Sequence, residues 1–190
     1  MSKLNKSQLR RAILKERQSL SQSQWQEQSK RICDRLISSS LFTEAKTILA
    51  YFSFRQEPDL TSLFLFTLNK RYAFPRCVNK SLIWHLWQPG EKLQIGKYGI
   101  KEPAIEAAMI APQSVDLILV PTVACDKQGY RLGYGGGFYD RLLSSPELFN
   151  VPTVGIVFNF AYVAQLPIDL WDIRLDYICT ENTFDRAFKA

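Results

Sequence analysis

A buried apolar strand followed by a glycine-rich segment decides the fold of this chain. The strand is Val115-Asp-Leu-Ile-Leu-Val-Pro121, and the segment is Gly129-Tyr-Arg-Leu-Gly-Tyr-Gly-Gly-Gly-Phe-Tyr-Asp-Arg-Leu-Leu143. Its glycines allow positive φ angles and a close approach of the backbone to a ligand. A helix is predicted to begin near Phe138, and the free N–H groups of its first turn would point back at the loop. The segment therefore predicts an anion site suited to phosphate.

The glycine-rich segment matches neither of the two common phosphate loops. A Walker loop needs a glycine followed by Lys-Ser or Lys-Thr, and the dinucleotide fingerprint needs glycine where Phe138 stands. Arg131 adds a forked positive charge, and Asp140 places a carboxylate where a phosphate-bound metal ion would sit. The alternative is a glycine-rich turn that only connects a strand to a helix.

Length and composition bound the class of protein. With 190 residues, of which 46% are apolar, the chain is expected to fold as a single domain over residues 1–190. No apolar run approaches the roughly 20 residues that cross a bilayer, and the start lacks the apolar stretch of a signal peptide. The cysteines at 33, 77, 125 and 179 form no CxxC pair and are expected to be reduced. We expect a cytoplasmic monomer with no membrane partner.

The excess positive charge lies at the start of the chain. Residues 1–50 hold ten Lys and Arg against four Asp and Glu, and the net charge of the whole chain is +6. On a helix through residues 3–20, one face would carry Leu9, Ala12, Ile13 and Leu20, and a stripe beside it would carry Lys3, Lys6, Arg10 and Arg17. Such a stripe suits a small polyanion, and a solvated basic face is the alternative. Because exposed aromatic residues are scarce in this segment, we expect no nucleic-acid partner.

Alternating strands and helices predict an α/β fold with three layers, in which an open, largely parallel sheet carries helices on both faces. Helices are predicted at 5–20, 22–39, 59–70 and 137–145, with Ser21 or Ser23 capping the second and Asp59 the third. Strands are predicted at 47–53, 71–75, 81–87, 115–121, 152–158 and 176–180, with 81–87 antiparallel and 88–114 a loop. Ligands gather at the carboxyl ends of such strands, where segments 52–59 and 159–172 and the glycine loop would meet.

The ordered series of motifs resembles the 5-formyltetrahydrofolate cyclo-ligase family over nearly the whole chain. The motifs are Lys6-Ser-Gln-Leu-Arg10, Tyr51-Phe-Ser-Phe-Arg-Gln-Glu-Pro-Asp59, Phe74-Pro-Arg76, Tyr98-Gly-Ile-Lys-Glu-Pro103, Asp116-Leu-Ile-Leu-Val-Pro121, Arg131-Leu-Gly-Tyr-Gly-Gly-Gly-Phe-Tyr-Asp-Arg141 and segment 166–176. The resemblance implies an enzyme that uses ATP as co-substrate and Mg²⁺ to close 5-formyltetrahydrofolate into 5,10-methenyltetrahydrofolate, with release of ADP and phosphate. A binding or sensor module without turnover is the competing class.

The resemblance also implies roles for single residues. ATP would be bound by Lys6, Ser7, Gln8, Leu9 and Arg10 and wrapped by Arg131, Leu132, Gly133, Tyr134, Gly135, Gly136, Gly137, Phe138 and Tyr139. Folate would border Tyr134, Gly135, Gly136, Gly137 and Phe138 and contact Phe52, Glu57 and Tyr98. Asp140 and Asp172 would hold Mg²⁺, and Arg131 and Asp140 would serve catalysis. Plainer alternatives are a helix cap for Glu57, a turn for Asp172 and packing for Tyr139, and His85 is expected to have no catalytic role.

Four departures from the family pattern are visible in the sequence. Phe138 stands where a tyrosine is usual, so any role of that hydroxyl is lost, and Trp171 replaces a frequent histidine before Asp172. Ala161 falls where many members have glutamine, and the residues Thr122 and Cys125 replace a common Gly and Phe, a change we attribute to packing.

Overall fold

A computed structural model gives the fold and describes residues 5–188. The helices are α1 (Lys6–Gln18), α2 (Gln22–Ile37), α3 (Ser40–Glu44), α4 (Thr61–Phe66) and α5 (Phe138–Leu143). The strands are β1 (Thr47–Leu49), β2 (Arg71–Val78), β3 (Ser81–Leu86), β4 (Leu93–Ile95), β5 (Lys101–Pro103), β6 (Leu117–Pro121), β7 (Ala124–Asp126), β8 (Arg131–Leu132), β9 (Thr153–Ile156), β10 (Tyr162–Val163), β11 (Tyr177–Cys179) and β12 (Phe184–Arg186). Short 3₁₀ turns cover Pro112–Ser114, Pro146–Leu148 and Asn159–Ala161.

A seven-stranded sheet with the order β12-β11-β9-β6-β1-β2-β3 forms the centre of the fold. The five inner strands run parallel to one another, and the two edge strands, β3 and β12, pair antiparallel with β2 and β11. The prediction of an open, largely parallel sheet is confirmed, as is the antiparallel strand near 81–87. The register brings Ile48 of β1 beside Leu117 of β6.

Both faces of the sheet are buried, because successive side chains of its central strands enter opposite cores. Leu117 and Leu119 of β6 pack on the side that holds α2, α3 and α4, while Ile118 and Val120 pack on the side that holds α1 and α5. All four side chains are inaccessible to solvent. The predicted arrangement of helices on both faces is confirmed, and it accounts for the unbroken apolar run of β6.

Helix α1 begins with a capping box, in which Asn5 accepts from the N–H of Gln8 and the Gln8 side chain accepts from the N–H of Asn5. Ile13 is buried in the core beneath α1. The predicted apolar face was wrong in two places, since Ala12 is exposed and Leu20, beyond the end of the helix, packs in the opposite core. The predicted stripe member Lys3 lies outside the described residues.

Helix α2 begins with a second capping box, formed by Ser21 and Gln24, so Ser21 and not Ser23 is the cap. The third predicted helix was too long: α4 covers only Thr61–Phe66, and its N-cap, Leu60, makes no side-chain cap. Asp59 instead accepts from the N–H and hydroxyl of Thr61.

Short elements are the part of the fold that the sequence did not predict. Segment 88–114 contains the antiparallel hairpin β4–β5, and β10, β7 and β8 form a small sheet in that order. Helix α3 and the edge strand β12 were also missed. Strands of two or three residues are too short to show a period-2 pattern.

The four cysteines are free thiols, as expected, and three of them are buried. Across residues 5–188 the helices are all too short or too polar to span a bilayer.

Truncation of Leu119 to alanine should lower the free energy of unfolding by about 3 kcal/mol, because a fully buried side chain of the central strand would leave a cavity. Urea unfolding followed by circular dichroism measures the loss. The matched control is Leu68→Ala, which removes the same atoms from a side chain that is 73% exposed. Equal losses in the two variants would contradict the packing described.

Candidate active site

Helix α1 brings its basic side chains onto two other segments of the chain. Arg10 donates from Nε to the carbonyl of Gly133 at 2.7 Å, which joins α1 to the glycine loop. Lys6, one turn earlier on the same face, donates from Nζ to Asp169 at 2.7 Å and also to Asp172. Residues more than a hundred positions apart therefore meet beside α1, with Arg10 at the glycine loop and Lys6 at the segment that holds Asp169 and Asp172.

The glycine loop has a backbone that other residues would strain. Gly135 has a φ of 94° and Gly137 a φ of 66°, both in the left-handed region. Gly137 is the N-cap of α5, and a Cβ there would lie 2.6 Å from a guanidinium nitrogen of Arg141. Arg141 in turn donates to the carbonyl of Gly136 at 2.9 Å. The conformation of the loop therefore depends on glycine at these positions.

An ion pair ties the glycine loop to α5. Arg131, which directly precedes the loop, donates from Nη2 to Asp140 at 2.7 Å, and the Arg131 side chain is only 5% exposed. Its guanidinium lies 5.7 Å from the centre of the Tyr139 ring. Tyr139 also packs edge-on against Trp84, and burial raises the pKa of its phenol well above the ordinary value. This environment favours the packing interpretation of Tyr139, whereas Asp140 is partly exposed beside the buried Arg131.

A second ion pair fixes the segment after β10. Asp172 accepts from Lys6 and from the N–H of Asp169 at 2.7 Å, and its own N–H donates to the Asp169 carbonyl. Burial lowers the pKa of Lys6, but its hydrogen bonds to the carboxylates of Asp169 and Asp172, together with their negative charges, outweigh that effect and raise the pKa overall. Asp172 thus lies in a turn and also faces a cation of α1.

Carboxylates are the available metal ligands in this site. Within residues 5–188, His, Cys, Asp and Glu form no group of three or more that could hold a metal ion without other ligands. Asp140 and Asp172 nevertheless fit Mg²⁺, which is commonly bound by one or two carboxylates together with substrate phosphates. Asp140 pairs with Arg131, and Asp172 pairs with Lys6. Both cations are residues that the family resemblance assigns to the binding of ATP.

Glu57 is a buried carboxyl group at the end of a strained turn. It is 3% exposed, and Oε2 accepts from the N–H of Phe54 at 3.0 Å. Arg55 and Gln56 both have positive φ, at 48° and 55°. Burial raises the pKa of Glu57 to about 7, although the charge of Arg17 and the bonds from Phe54 and Tyr134 oppose the rise. The helix-cap alternative is wrong, since α4 begins only at Thr61.

The remaining predicted contacts occupy two aromatic clusters. Phe52 stacks on Phe74 at 4.0 Å between ring centres and lies edge-on to Phe64 and Trp87. Tyr98, carried on the turn of the β4–β5 hairpin, is 46% exposed and meets the ring of Phe138 edge-on at 5.9 Å. Tyr98 therefore borders the glycine loop, whereas Phe52 lies in the cluster below β2.

A shallow groove of about 620 Å³ runs along α1 and is lined by Ser7 and Arg10 together with Arg11 and Lys15. Other residues of the predicted ATP segment are engaged elsewhere: Gln8 caps α1 and Leu9 packs in the core. Leu132, also predicted there, is buried.

Sequence reasoning missed three arginines that shape the site. Arg17, assigned only to a basic stripe, is buried and donates to the hydroxyl of Tyr134. Arg76 donates to the carbonyl of Pro103 at 2.5 Å and so docks the hairpin that carries Tyr98. Arg141 anchors Gly136. Arg17 belonged to the predicted basic stripe and Arg76 to the motif Phe74-Pro-Arg76, but their partners lie on elements whose packing the sequence does not show.

The departures from the family pattern fall in different environments. Ala161 is buried, and Thr122 and Cys125 form a buried contact in which the Cys125 thiol donates to the Thr122 hydroxyl, consistent with a packing change. Trp171 is 67% exposed. The ring of Phe138 lies 5.2 Å below the guanidinium of Arg141.

Comparisons with known proteins identify the lineage. The fold and site define an α/β protein with a glycine loop flanked by cations and carboxylates. A family model described as the 5-formyltetrahydrofolate cyclo-ligase family matches residues 2–181. The chain belongs to this family and is an enzyme of the ligase class.

Similar proteins cover almost all of the chain. The 5-formyltetrahydrofolate cyclo-ligase of Escherichia coli K12 is 31% identical over 176 residues, covering 90% of this chain and 97% of its own length. The solved structure of Aquifex aeolicus 5,10-methenyltetrahydrofolate synthetase is 35% identical with a TM-score of 0.86, covering 97% of this chain and 94% of its own. That of the Mycoplasma pneumoniae synthetase is 26% identical with a TM-score of 0.76, covering 94% and 99%.

Replacing Glu57 with glutamine should stabilise the protein at high pH and not at low pH. The pKa of about 7 in the folded protein exceeds the ordinary value of 4.5, so between these pH values the native state keeps a proton that the unfolded chain has lost. The stability of the wild type therefore falls as pH rises through that range. The variant lacks this fall, and its advantage should grow by about 2–3 kcal/mol between pH 5 and pH 8. Urea unfolding at both values measures it. The control Glu106→Gln, at an exposed position, should show no pH-dependent difference, and a constant offset for Glu57→Gln would contradict the assignment.

Proposed function

We propose that this enzyme closes 5-formyltetrahydrofolate into 5,10-methenyltetrahydrofolate, using ATP and Mg²⁺ and releasing ADP and phosphate. The observation that carries the proposal is the contact between α1 and the glycine loop, in which Arg10 donates to Gly133. It supports a phosphate site, because backbone N–H groups, a basic helix face and two carboxylates come together there. The names of the similar proteins support the identity of the folate substrate.

The ion pairs of the site support the binding of Mg-ATP. In the proposed complex, the phosphates of ATP take the place of the carboxylates as partners of Lys6 and Arg131, while Arg10 stays beside the glycine loop. Asp140 and Asp172 are then free to hold Mg²⁺, which when bound would neutralise charge on the phosphates. Ser7, another predicted member of the phosphate site, lines the groove along α1.

The folate would lie between the glycine loop and the 53–57 turn. Glu57, in its carboxylate form, would accept hydrogen bonds from N–H groups of the pterin, and the exposed ring of Tyr98 would stack on the folate. The ring of Phe54 lies 6.0 Å from that of Tyr134, so the turn and the loop adjoin. Phe52 would contact the folate from the aromatic cluster, which requires that the ligand reach below the turn.

The proposed chemistry needs no covalent intermediate with the protein. The formyl oxygen attacks the γ-phosphorus of ATP, ADP leaves, and the formyl carbon becomes the electrophilic carbon of an iminium phosphate. N10 adds to that carbon and loses its proton, and phosphate leaves to give the methenyl bridge. The protein aligns oxygen with phosphorus and stabilises the charge on the transferring group. Arg131 and the loop N–H groups would serve these tasks.

Loss of the carboxylate or the cation beside the loop should abolish most turnover. We expect Asp140→Asn and Arg131→Ala each to lower kcat/KM about a hundredfold or more. Asp140→Asn would weaken the binding of Mg²⁺, and Arg131→Ala would remove a cation that stabilises the transferring phosphoryl group. Near-ultraviolet absorbance of methenyl-folate, with 5-formyltetrahydrofolate and Mg-ATP supplied, measures the rate. Asp34→Asn is the control, because that carboxylate forms an exposed pair with Lys30 on α2. Full activity of both site variants would refute their roles.

The basic residues of α1 should act on ATP and not on folate. We expect Lys6→Ala and Arg10→Ala each to raise the Kd for Mg-ATP about tenfold, because each variant loses a charge-assisted hydrogen bond to the phosphates. The Kd for 5-formyltetrahydrofolate should be nearly unchanged. Calorimetry measures both constants separately, with Lys30→Ala as the control. Equal losses of the two affinities would argue against a phosphate site on α1.

A further inference from the structure

Arg17 is a charged side chain held inside the protein with few partners. It is 2% exposed, and its single hydrogen bond given by the described residues runs from Nη2 to the hydroxyl of Tyr134. Nε and Nη1 are buried and have no acceptor in the part of the chain that the structure describes. Burying a guanidinium without satisfying its donors is costly. The position therefore needs an explanation other than the stability of α1.

The charge of Arg17 acts on the carboxyl of Glu57, which is itself only 3% exposed. Tyr134, the hydrogen-bond partner of Arg17, also acts on that carboxyl, and Glu57 in turn acts electrostatically on Tyr51, which follows β1, and on Tyr139 of α5. Burial raises the pKa of all three phenols above the ordinary value, so they remain neutral. Arg17 supplies the positive charge that opposes the effect of burial on Glu57.

The turn that carries Glu57 is held firmly in place. The Glu57 carbonyl accepts from the hydroxyl of Ser53 at 2.7 Å and from the indole of Trp25 at 2.8 Å. Its N–H donates to the carbonyl of Phe54 at 3.0 Å, and its carboxyl accepts from the Phe54 N–H. The Glu57 side chain is buried and bonded to the Phe54 N–H in this turn, so its protonation depends on burial, on that hydrogen bond and on the charges near it.

A buried carboxyl group binds pterin N–H groups well only when it is ionised, because the protonated form presents one donor in place of an acceptor. We propose that Arg17 is a positioning residue of the folate site, which keeps Glu57 in its carboxylate form and holds the hydroxyl of Tyr134 beside it. This inference rests on the proposed function for the role of Glu57 toward folate. It deepens that function by linking α1, the glycine loop and the 53–57 turn through one buried guanidinium.

The direct test is a titration of the Glu57 carboxyl carbon by ¹³C NMR in the ligand-free protein, with the resonance assigned by Glu57→Gln. We expect a midpoint near pH 7 in the wild type. In Arg17→Gln and in Arg17→Met, which replaces the charge with an apolar chain of similar length, the midpoint should rise by about one pH unit or more. Arg17→Lys, which keeps the charge, should stay near the wild-type midpoint. Arg11→Gln is the matched control, since Arg11 is an exposed neighbour on the same helix.

Folate affinity provides the second readout. The Kd for 5-formyltetrahydrofolate is measured by calorimetry from pH 6 to pH 9 and should change around the pH at which Glu57 titrates. In the two neutral variants this midpoint should move to higher pH together with that of Glu57, whereas the pH dependence of the Kd for Mg-ATP should stay the same. Two neutral variants are used so that failure of one to fold leaves the other.

The outcomes separate the inference from the function on which it rests. An unchanged Glu57 midpoint in the neutral variants overturns the inference, whether or not folate binds. A shifted midpoint with unshifted folate affinity also overturns it, because the ionisation would then serve another purpose. Failure of the wild type to bind 5-formyltetrahydrofolate at any pH would count against the proposed function, while the NMR titration would still decide whether Arg17 controls the charge of Glu57.

Discussion

The site depends on the pairing of charges that are partly withdrawn from water. Arg131 faces Asp140, Lys6 faces Asp172, and Arg17 acts on Glu57, and each of these six side chains has a third or less of its surface exposed. A charge in such a position is tolerated only when an opposite charge or a hydrogen bond compensates it. Lys6 and Asp172 are distant in sequence, as are Arg17 and Glu57, whereas Arg131 and Asp140 lie at the two ends of the glycine loop, so the charges help to hold the shape of the site.

In the proposed function, the same pairs explain how one surface would bind both a polyanion and a divalent cation. A phosphate that enters the site offers Arg131 and Lys6 new anionic partners, and the carboxylates that it releases are the ligands Mg²⁺ prefers. In the proposed function, nucleotide and metal therefore bind by exchange of partners, and the site never holds an unpaired set of like charges. The positive φ angles at Gly135 and Gly137 give the loop a conformation in which its backbone N–H groups would take part.

The central architecture followed from the sequence, because long apolar runs such as β6 and the alternation of strand with helix are governed by burial on both faces of a sheet. The location of the glycine loop and the basic helix followed from local composition. The sequence did not show which residues contact one another across the fold. It did not reveal that Arg17 is buried or that Arg76 docks the hairpin carrying Tyr98. Nor did it reveal that strands of two or three residues form a second, small sheet. Such contacts are fixed by tertiary packing, and no local pattern encodes them.

The central claim is that the glycine loop and the basic face of α1 together bind the phosphates of ATP with Mg²⁺. The most direct measurement is amide chemical-shift mapping by NMR as a non-hydrolysable ATP analogue is added with Mg²⁺. The account predicts that the largest shifts fall on residues 133–138 and on the first turn of α1, and that they weaken strongly when Mg²⁺ is withheld. Shifts confined to other surfaces, or none at saturating nucleotide, would contradict it.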